Sequence, residues 1–279
     1  MAQEASQKRT DALQRLQQGL QDLYDSEKFK QYLRFLNQFR QYSLRNTILI
    51  YSQRPDATLV APYRQWQKLN RHVKRGEKGI CIFAPHTYKR QSADSSDDEL
   101  QLGFHLTYTY DVSQTDADNE NGELPENICQ NLAGSLADAS LLSTLSDISP
   151  VPVKFEPVQG SANGYFSLNS LEIVVDSTNG QIQQAKTLLH EMSHAWHHAL
   201  VPDFEKCSHS DQETVAEASA FVVCNYLGID SSEYSFPYLA MWSREHNLRE
   251  FQANLSLIKK ISDQIIGDIE THLDSSITI

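Results

Sequence analysis

The chain has 279 residues, 40% of them hydrophobic and 22% charged, with a formal net charge of -12 at pH 7. That length and apolar content allow one or two domains, each with a buried core. No apolar run reaches the roughly 18–20 residues of a membrane span, the opening segment is polar, and Cys81, Cys129, Cys207 and Cys224 show no CxxC or paired spacing; a soluble, cytoplasmic protein with no membrane partner is expected.

Charge divides the chain sharply. Residues 1–90 carry 17 Lys+Arg against 7 Asp+Glu, a net of +10, while the remainder carries 7 against 29, a net of -22. Such asymmetry predicts two domains with different partners, the basic one facing a polyanion, most simply nucleic acid.

The first half reads as helical. Leu13, Leu16, Leu20 and Leu23 recur at helical spacing over 5–24, and helical patterns continue over 26–40 and 43–53 until Arg54-Pro55-Asp56-Ala57 breaks them. A short helix over Tyr63–Leu69 precedes the basic segment 71–79, which leads into a strand over Ile80–Phe83. A second strand alternates Phe104, Leu106, Tyr108 and Tyr110 with other residues. Between the strands lies an acidic, Ser-rich loop, and Ser113–Leu124 reads as an interdomain linker.

The second half opens with a helix near 126–140, then strands over Val151–Phe155, Tyr165–Leu168 and Glu172–Asp176. Helices are predicted over 181–200, 211–227, near 237–243 and over 247–272. The expected fold is α+β with two domains. One is a basic helical and β-hairpin domain over 1–113; a linker at 114–124 joins it to a second domain over 125–279 with a small antiparallel sheet and a motif-bearing helix.

That helix carries His190-Glu191-Met192-Ser193-His194. Positions four apart stack on one helix face, so both imidazoles can converge on one Zn2+ while Glu191 faces water activated there as candidate general base. A third His ten residues after the first would mark a metzincin, but Leu200 stands there. On the next helix Glu213 and Glu217 lie four apart on one face. One can ligate and the other orient a zinc-bound imidazole; Glu217 is the expected ligand, with Glu213 the orienting carboxylate or alternative ligand. His197 and His198 read as surface histidines, and Cys207 with His209 offers only a weak second metal site. Strands before such a helix suit a peptidase, because an edge strand can align an extended peptide by main-chain pairing. Tyr234 or Tyr238 could donate to a developing oxyanion.

In the basic half, cations alternate with aromatics in the manner of a single-strand binder, where cations track phosphates and rings stack bases. Candidate contacts are Arg45, Arg54, Arg64, Trp66, Arg71, Lys74, Arg75 and Lys78.

Several segments in fixed order resemble ArdC-type antirestriction proteins over nearly the whole chain. They are Tyr42-Ser-Leu-Arg-Asn46, Gln53-Arg-Pro-Asp-Ala57, Trp66, Arg71, Gly76-Glu-Lys-Gly79, Ala84-Pro85 and Asp111-Val-Ser-Gln-Thr115, then His190-Glu191-xx-His194, Glu217-Ala-Ser-Ala-Phe221 and 234–242. The acidic insertion at 91–101 departs from the family pattern. The resemblance implies an N-terminal domain that binds single-stranded DNA and a C-terminal zincin-like metallopeptidase domain acting on an unknown protein substrate. It further implies a plasmid or phage role in evading host restriction, and it favours Glu217 as ligand. Two other functions fit the same residues: a DNA binder whose zinc site is structural or vestigial, and a repressor-cleaving regulatory protease.

Overall fold

A computed structural model describes residues 2–91, 98–118, 138–231, 236 and 248–277. In chain order these form α1 (Ala2–Asp22), α2 (Ser26–Gln38), α3 (Leu44–Gln53), β1 (Val60–Pro62), α4 (Tyr63–Lys68), β2 (Arg71–Val73), β3 (Ile80–Gln91), β4 (Asp98–Asp111) and β5 (Thr115–Ala117). There follow α5 (Asp138–Asp147), β6 (Val153–Glu156), β7 (Gly164–Ser167), β8 (Glu172–Asp176), α6 (Gln181–Leu200), α7 (His209–Tyr226) and α8 (Leu248–Ile277). They group into two compact units. The first comprises Met1–Asp22 and Gln41–Ile128, the second Leu23–Arg40 and Cys129–Ile279.

This division differs from the expected boundary at a linker over 114–124. Residues 23–40 belong with the second unit because α2 buries Phe29, Tyr32, Leu33, Phe35 and Leu36 there, packing on α7. Its side chains also bond there: Asn37 donates to the Val222 carbonyl and to Asn225, each at 3.0 Å. Tyr32, Phe35 and Phe39 are therefore core residues and not stacking surfaces for bases.

In the first unit, β3 and β4 form a long antiparallel hairpin, with β1 on the other side of β4. The hairpin arms reach Gln91 and Asp98, so strand replaces part of the expected acidic loop, whose residues 92–97 lie outside the described set. β3 is an edge strand whose outward groups need partners. Two amides of α3 supply them. Asn46 donates to the Phe83 carbonyl at 2.8 Å and accepts from its N–H at 3.0 Å; Gln53 does the same for Cys81, at 3.0 Å each way. Each carboxamide mimics a neighbouring strand's peptide group, which locks helix to hairpin.

Trp66 of α4 is fully buried and donates from its indole nitrogen to the Tyr110 carbonyl at 2.9 Å. Behind it, Asp111 accepts from the N–H groups of Ser113, Thr58 and Leu59. Burial opposes its charge, but those hydrogen bonds outweigh it and hold the carboxyl below its usual range. The expected linker begins as structure: β5 pairs antiparallel with β2, Val73 opposite Thr115.

The second unit is built around α7, which packs on α6, α8 and α2. Its sheet has the order β6-β8-β7, with β8 parallel to β6 and antiparallel to β7. The sheet is mixed and not antiparallel as expected. The chain turns from β6 into β7 and leaves a strand's width between them, and β8 returns into that gap alongside β6. Ile173, Val174 and Val175 of β8 are buried. β7 lies hard against α6: a Cβ on Gly164 would come within 2.6 Å of Thr187 Cγ2 and of the Val174 carbonyl.

Replacing Gln53 or Asn46 with Leu should lower unfolding stability by about 1–3 kcal/mol each, because two backbone groups of β3 lose their partners. Urea titration of each variant checks this; an unchanged midpoint would show that the amides do not secure the edge.

Candidate metal centre

The helical period of α6 places His190 and His194 one turn apart, where their Nε2 atoms stand 3.1 Å from each other. The apolar face of α6, with Leu188, Leu189, Met192 and Ala195, is buried, and this turns the imidazoles towards the start of α7. There Glu213 presents one carboxylate oxygen 3.5 Å from His190 Nε2 and the other 3.5 Å from His194 Nε2. One donor atom from each residue lies within 4.8 Å of the others, the one such group among the described residues.

These spacings fit a divalent ion. Two nitrogen or oxygen ligands about 2.0–2.1 Å from a tetrahedral centre stand about 3.3 Å apart. The imidazole nitrogens stand 3.1 Å apart and each comes within 3.5 Å of a different oxygen of Glu213, so the three residues gather near that spacing. Three protein donors leave one position open, the pattern of catalytic centres.

Glu213 is the carboxylate that converges with the two imidazoles, where Glu217 was the expected ligand. Glu217 lies one turn further along α7, where its charge is felt by His190. Burial works against a charged His190, yet the hydrogen bond it donates to Glu213 and the charges of Glu191, Glu213 and Glu217 raise its pKa. Burial, and then the neighbouring His190, push His194 the other way, so it stays neutral. A second carboxylate contact was not foreseen: His209 Nδ1 stands 3.6 Å from Glu213 on the exposed first turn of α7.

Glu191 is nearly buried, and its carboxylate accepts from the backbone N–H of Phe166 on β7. Burial raises its pKa, with His190 and the Phe166 hydrogen bond opposing. Because the Asp176 backbone N–H donates to the Asn163 carbonyl, alternation along the antiparallel pair turns the peptide groups of Gly164 and Phe166 away from β8. The outward edge of β7 thus runs beside Glu191. Sequence periodicity gave this strand but no sign of its bond to Glu191.

His197 is buried against the Phe204 ring and is not the surface residue expected. Its Nδ1 has no hydrogen-bond partner among the described residues, and burial lowers its pKa to about 4. His198 packs on Phe166 and Phe204. Tyr234 and Tyr238 lie outside the described residues.

Of the expected DNA contacts, Trp66 is core, and Arg71 is engaged with the Thr115 hydroxyl at 2.9 Å and carbonyl at 3.3 Å. Arg54 donates to Ser113 and Lys74 to the Ser113 carbonyl, each at 3.0 Å. Arg45, Arg64, Arg75 and Lys78 are exposed. Counted over the whole first unit, 13 Lys+Arg meet 15 Asp+Glu, so its positive character is local.

Residues 3–126 match the family model for the N-terminal domain of anti-restriction factor ArdC. The uncharacterised protein pXO2-81 of Bacillus anthracis is 25% identical over 278 residues, a match covering 85% of this chain and 46% of that protein. The chain thus spans about half the length of this relative. The crystal structure of the antirestriction ArdC protein from the R388 plasmid in metal-free form matches with a TM-score of 0.57 and 18% identity, over 82% of this chain and 86% of that one. Its Mn(II)-bound structure matches at 0.54 and 19%, over 82% and 85%. These likenesses establish a shared α+β fold.

Glu213→Ala should abolish tight Zn2+ or Mn2+ binding in a calorimetric titration, whereas Glu217→Ala should weaken it by about 10–100-fold, as loss of an orienting group does. The reverse ranking would restore Glu217 as ligand. A pH prediction comes from His197. Its folded pKa of about 4 lies below the unfolded value of about 6.5, so the unfolded chain binds more protons between them. Stability should be full above pH 6.5 and fall as pH drops towards 4. His197→Leu should flatten that part of a melting-temperature profile; an unaltered slope would exclude His197 as its source.

Proposed function

We propose that this chain, an ArdC-type protein, binds single-stranded DNA with its first unit and hydrolyses peptide bonds at a Zn2+ centre in its second. Its role is to protect the incoming DNA of a plasmid or phage from host restriction in the cytoplasm. The observation that carries the peptidase half is the three-donor set of His190, His194 and Glu213 with Glu191 beside it. The family match over residues 3–126 supports the antirestriction role and the DNA-binding half.

When bound, the ion supplies Lewis acidity, polarising a carbonyl and acidifying water. The chain's own residues do the rest. Glu191, sheltered from solvent and oriented by the Phe166 N–H, accepts a proton from the attacking water and passes it to the departing amine. The outward peptide groups of β7 other than the Phe166 N–H pair with an extended substrate and hold its scissile bond beside Glu191. His194, kept neutral by burial, has its ring lone pair available as a donor.

A second reading is favoured by His209. It adds an imidazole 3.6 Å from Glu213, next to the three-donor set; a centre completed by a further protein ligand would be structural and leave DNA binding as the activity.

Glu191→Gln separates the two. It should retain Zn2+ while lowering cleavage of unfolded protein substrates at least 100-fold. Equal cleavage by wild type and variant would remove the peptidase reading, and full antirestriction in cells by the variant would favour the structural centre. DNA binding is tested apart from this by titrating salt against oligonucleotide affinity, which should fall steeply, with single strands competing better than duplex.

A further inference from the structure

The first unit contains a cavity of about 930 Å³ that the sequence did not reveal. We infer that it is the nucleotide-binding pocket of the single-strand site, with Tyr108 as its stacking wall and Arg15 and Lys78 as phosphate partners. This rests on the DNA-binding half of the proposed function and gives it a location.

The walls come from segments far apart in sequence. Lys8 and Arg15 project from α1, Arg54 from the end of α3, Lys78 from the turn before β3, and Tyr108 from β4. Asp11 and Glu77 are the two acids among the lining residues, and both are engaged: Gln7 donates to Asp11 and Gln114 to Glu77, each at 2.8 Å. Four cations line the cavity against two acids, and with Arg54 also 3.8 Å from Asp56 the lining keeps a small positive excess within a unit that is not positive as a whole. The size suits a nucleotide, since small-molecule pockets span about 300–1,000 Å³.

Two groups are held ready. Arg15 donates to the Gln53 carboxamide oxygen at 2.7 Å, the same oxygen that accepts from the Cys81 N–H, so the guanidinium is tethered to the hairpin edge. The Lys78 ammonium makes no ion pair among the described residues. Tyr108 is 46% exposed and its ring lies over Gly79, where a Cβ would sit 2.9 Å from Tyr108 Cβ and 3.1 Å from the ring. Glycine there lets one ring face rest on the backbone while the ring remains accessible to a base. Phe104, 53% exposed, lies on the same strand face about 13 Å along β4, a second platform in line with the first. An immobile ring beside tethered and free cations is the arrangement that single-strand grooves use.

The test is fluorescence anisotropy with a labelled oligo-dT of about 20 nucleotides and the full chain at low salt. Arg15→Glu with Lys78→Glu should weaken binding at least 100-fold. Neutralising the same pair, Arg15→Gln with Lys78→Gln, should shallow the salt dependence by about two phosphate contacts. Tyr108→Ala should weaken binding about 5–100-fold and Tyr108→Phe should restore it, a rescue that a purely structural role for the hydroxyl would not give. Lys68→Glu controls for general loss of charge, and an unchanged melting temperature shows that each variant is folded. If wild type binds and folded Arg15, Lys78 and Tyr108 variants bind equally well, or if Arg45→Glu and Arg64→Glu abolish binding instead, the pocket is wrong and the DNA-binding reading stands. If wild type itself fails to bind single strands, that reading falls and the pocket with it.

Discussion

Burial of α7 on every side governs where the candidate centre forms. From Thr214 to Cys224 every residue except Glu217 is buried, because α6, α8 and α2 surround this helix. A helix enclosed in this way cannot rotate or slide without disturbing several packed interfaces, since interiors are close-packed. Its first turn is less enclosed, and there Glu213 meets the two imidazoles of α6. Packing further along the helix therefore holds the Glu213 carboxylate within 3.5 Å of each imidazole nitrogen. The small side chains of Ala216, Ala218, Ser219 and Ala220 are all buried in this helix, where they keep its cross-section narrow.

The same enclosure explains the electrostatics. Glu191, Glu213 and Glu217 act on His190 from two helices, in surroundings where solvent screens little. Their combined field raises the pKa of one imidazole, while burial keeps its neighbour neutral. A doubly charged cation satisfies all of these demands at once, which is why a donor set of this composition is read as a metal site and not as an ion pair. The Phe166 N–H serves a different need: it orients Glu191, whose carboxylate does not converge with the ligands.

Much of this was legible from residue order, and the failures have physical reasons. The period of Leu188, Leu189, Met192 and Ala195 gave α6 at its observed bounds, and the HExxH spacing gave two donors. The third was expected at Glu217, while Glu213 is the one that meets the imidazoles; the two share a face, and only the meeting point of α6 and α7 distinguishes them. In α2 the amphipathic pattern was plain, but a pattern shows that a face is buried without naming what buries it. Trp66 and Arg71 looked like nucleic-acid contacts by residue type, yet the Tyr110 carbonyl and Thr115 hold them inside the first unit. The direction of β6 relative to β8 depends on how a connection crosses, which side-chain alternation does not encode.

Charge counts misled in a related way, and for a reason that bears on any polyanion site. The +10 of residues 1–90 includes Lys28, Lys30, Arg34 and Arg40, which lie in the stretch that joins the acidic second unit. There Arg40 pairs with Glu270 at 2.7 Å and stacks on Tyr226, and Lys30 and Arg34 lie over the Phe221 ring. These cations serve unit-internal packing and neutralise part of the acidic excess. What remains for a polyanion is the arrangement and not the sum, because salt at physiological strength screens exposed charges from anything more than about 8–10 Å away. A few cations around one cavity, with the neighbouring carboxylates already bonded, attract phosphate more effectively than a larger excess scattered over a surface. In this chain Arg15 also ties that local field to the hairpin edge through Gln53, so the residues that secure the fold of the first unit are the ones that position its charge.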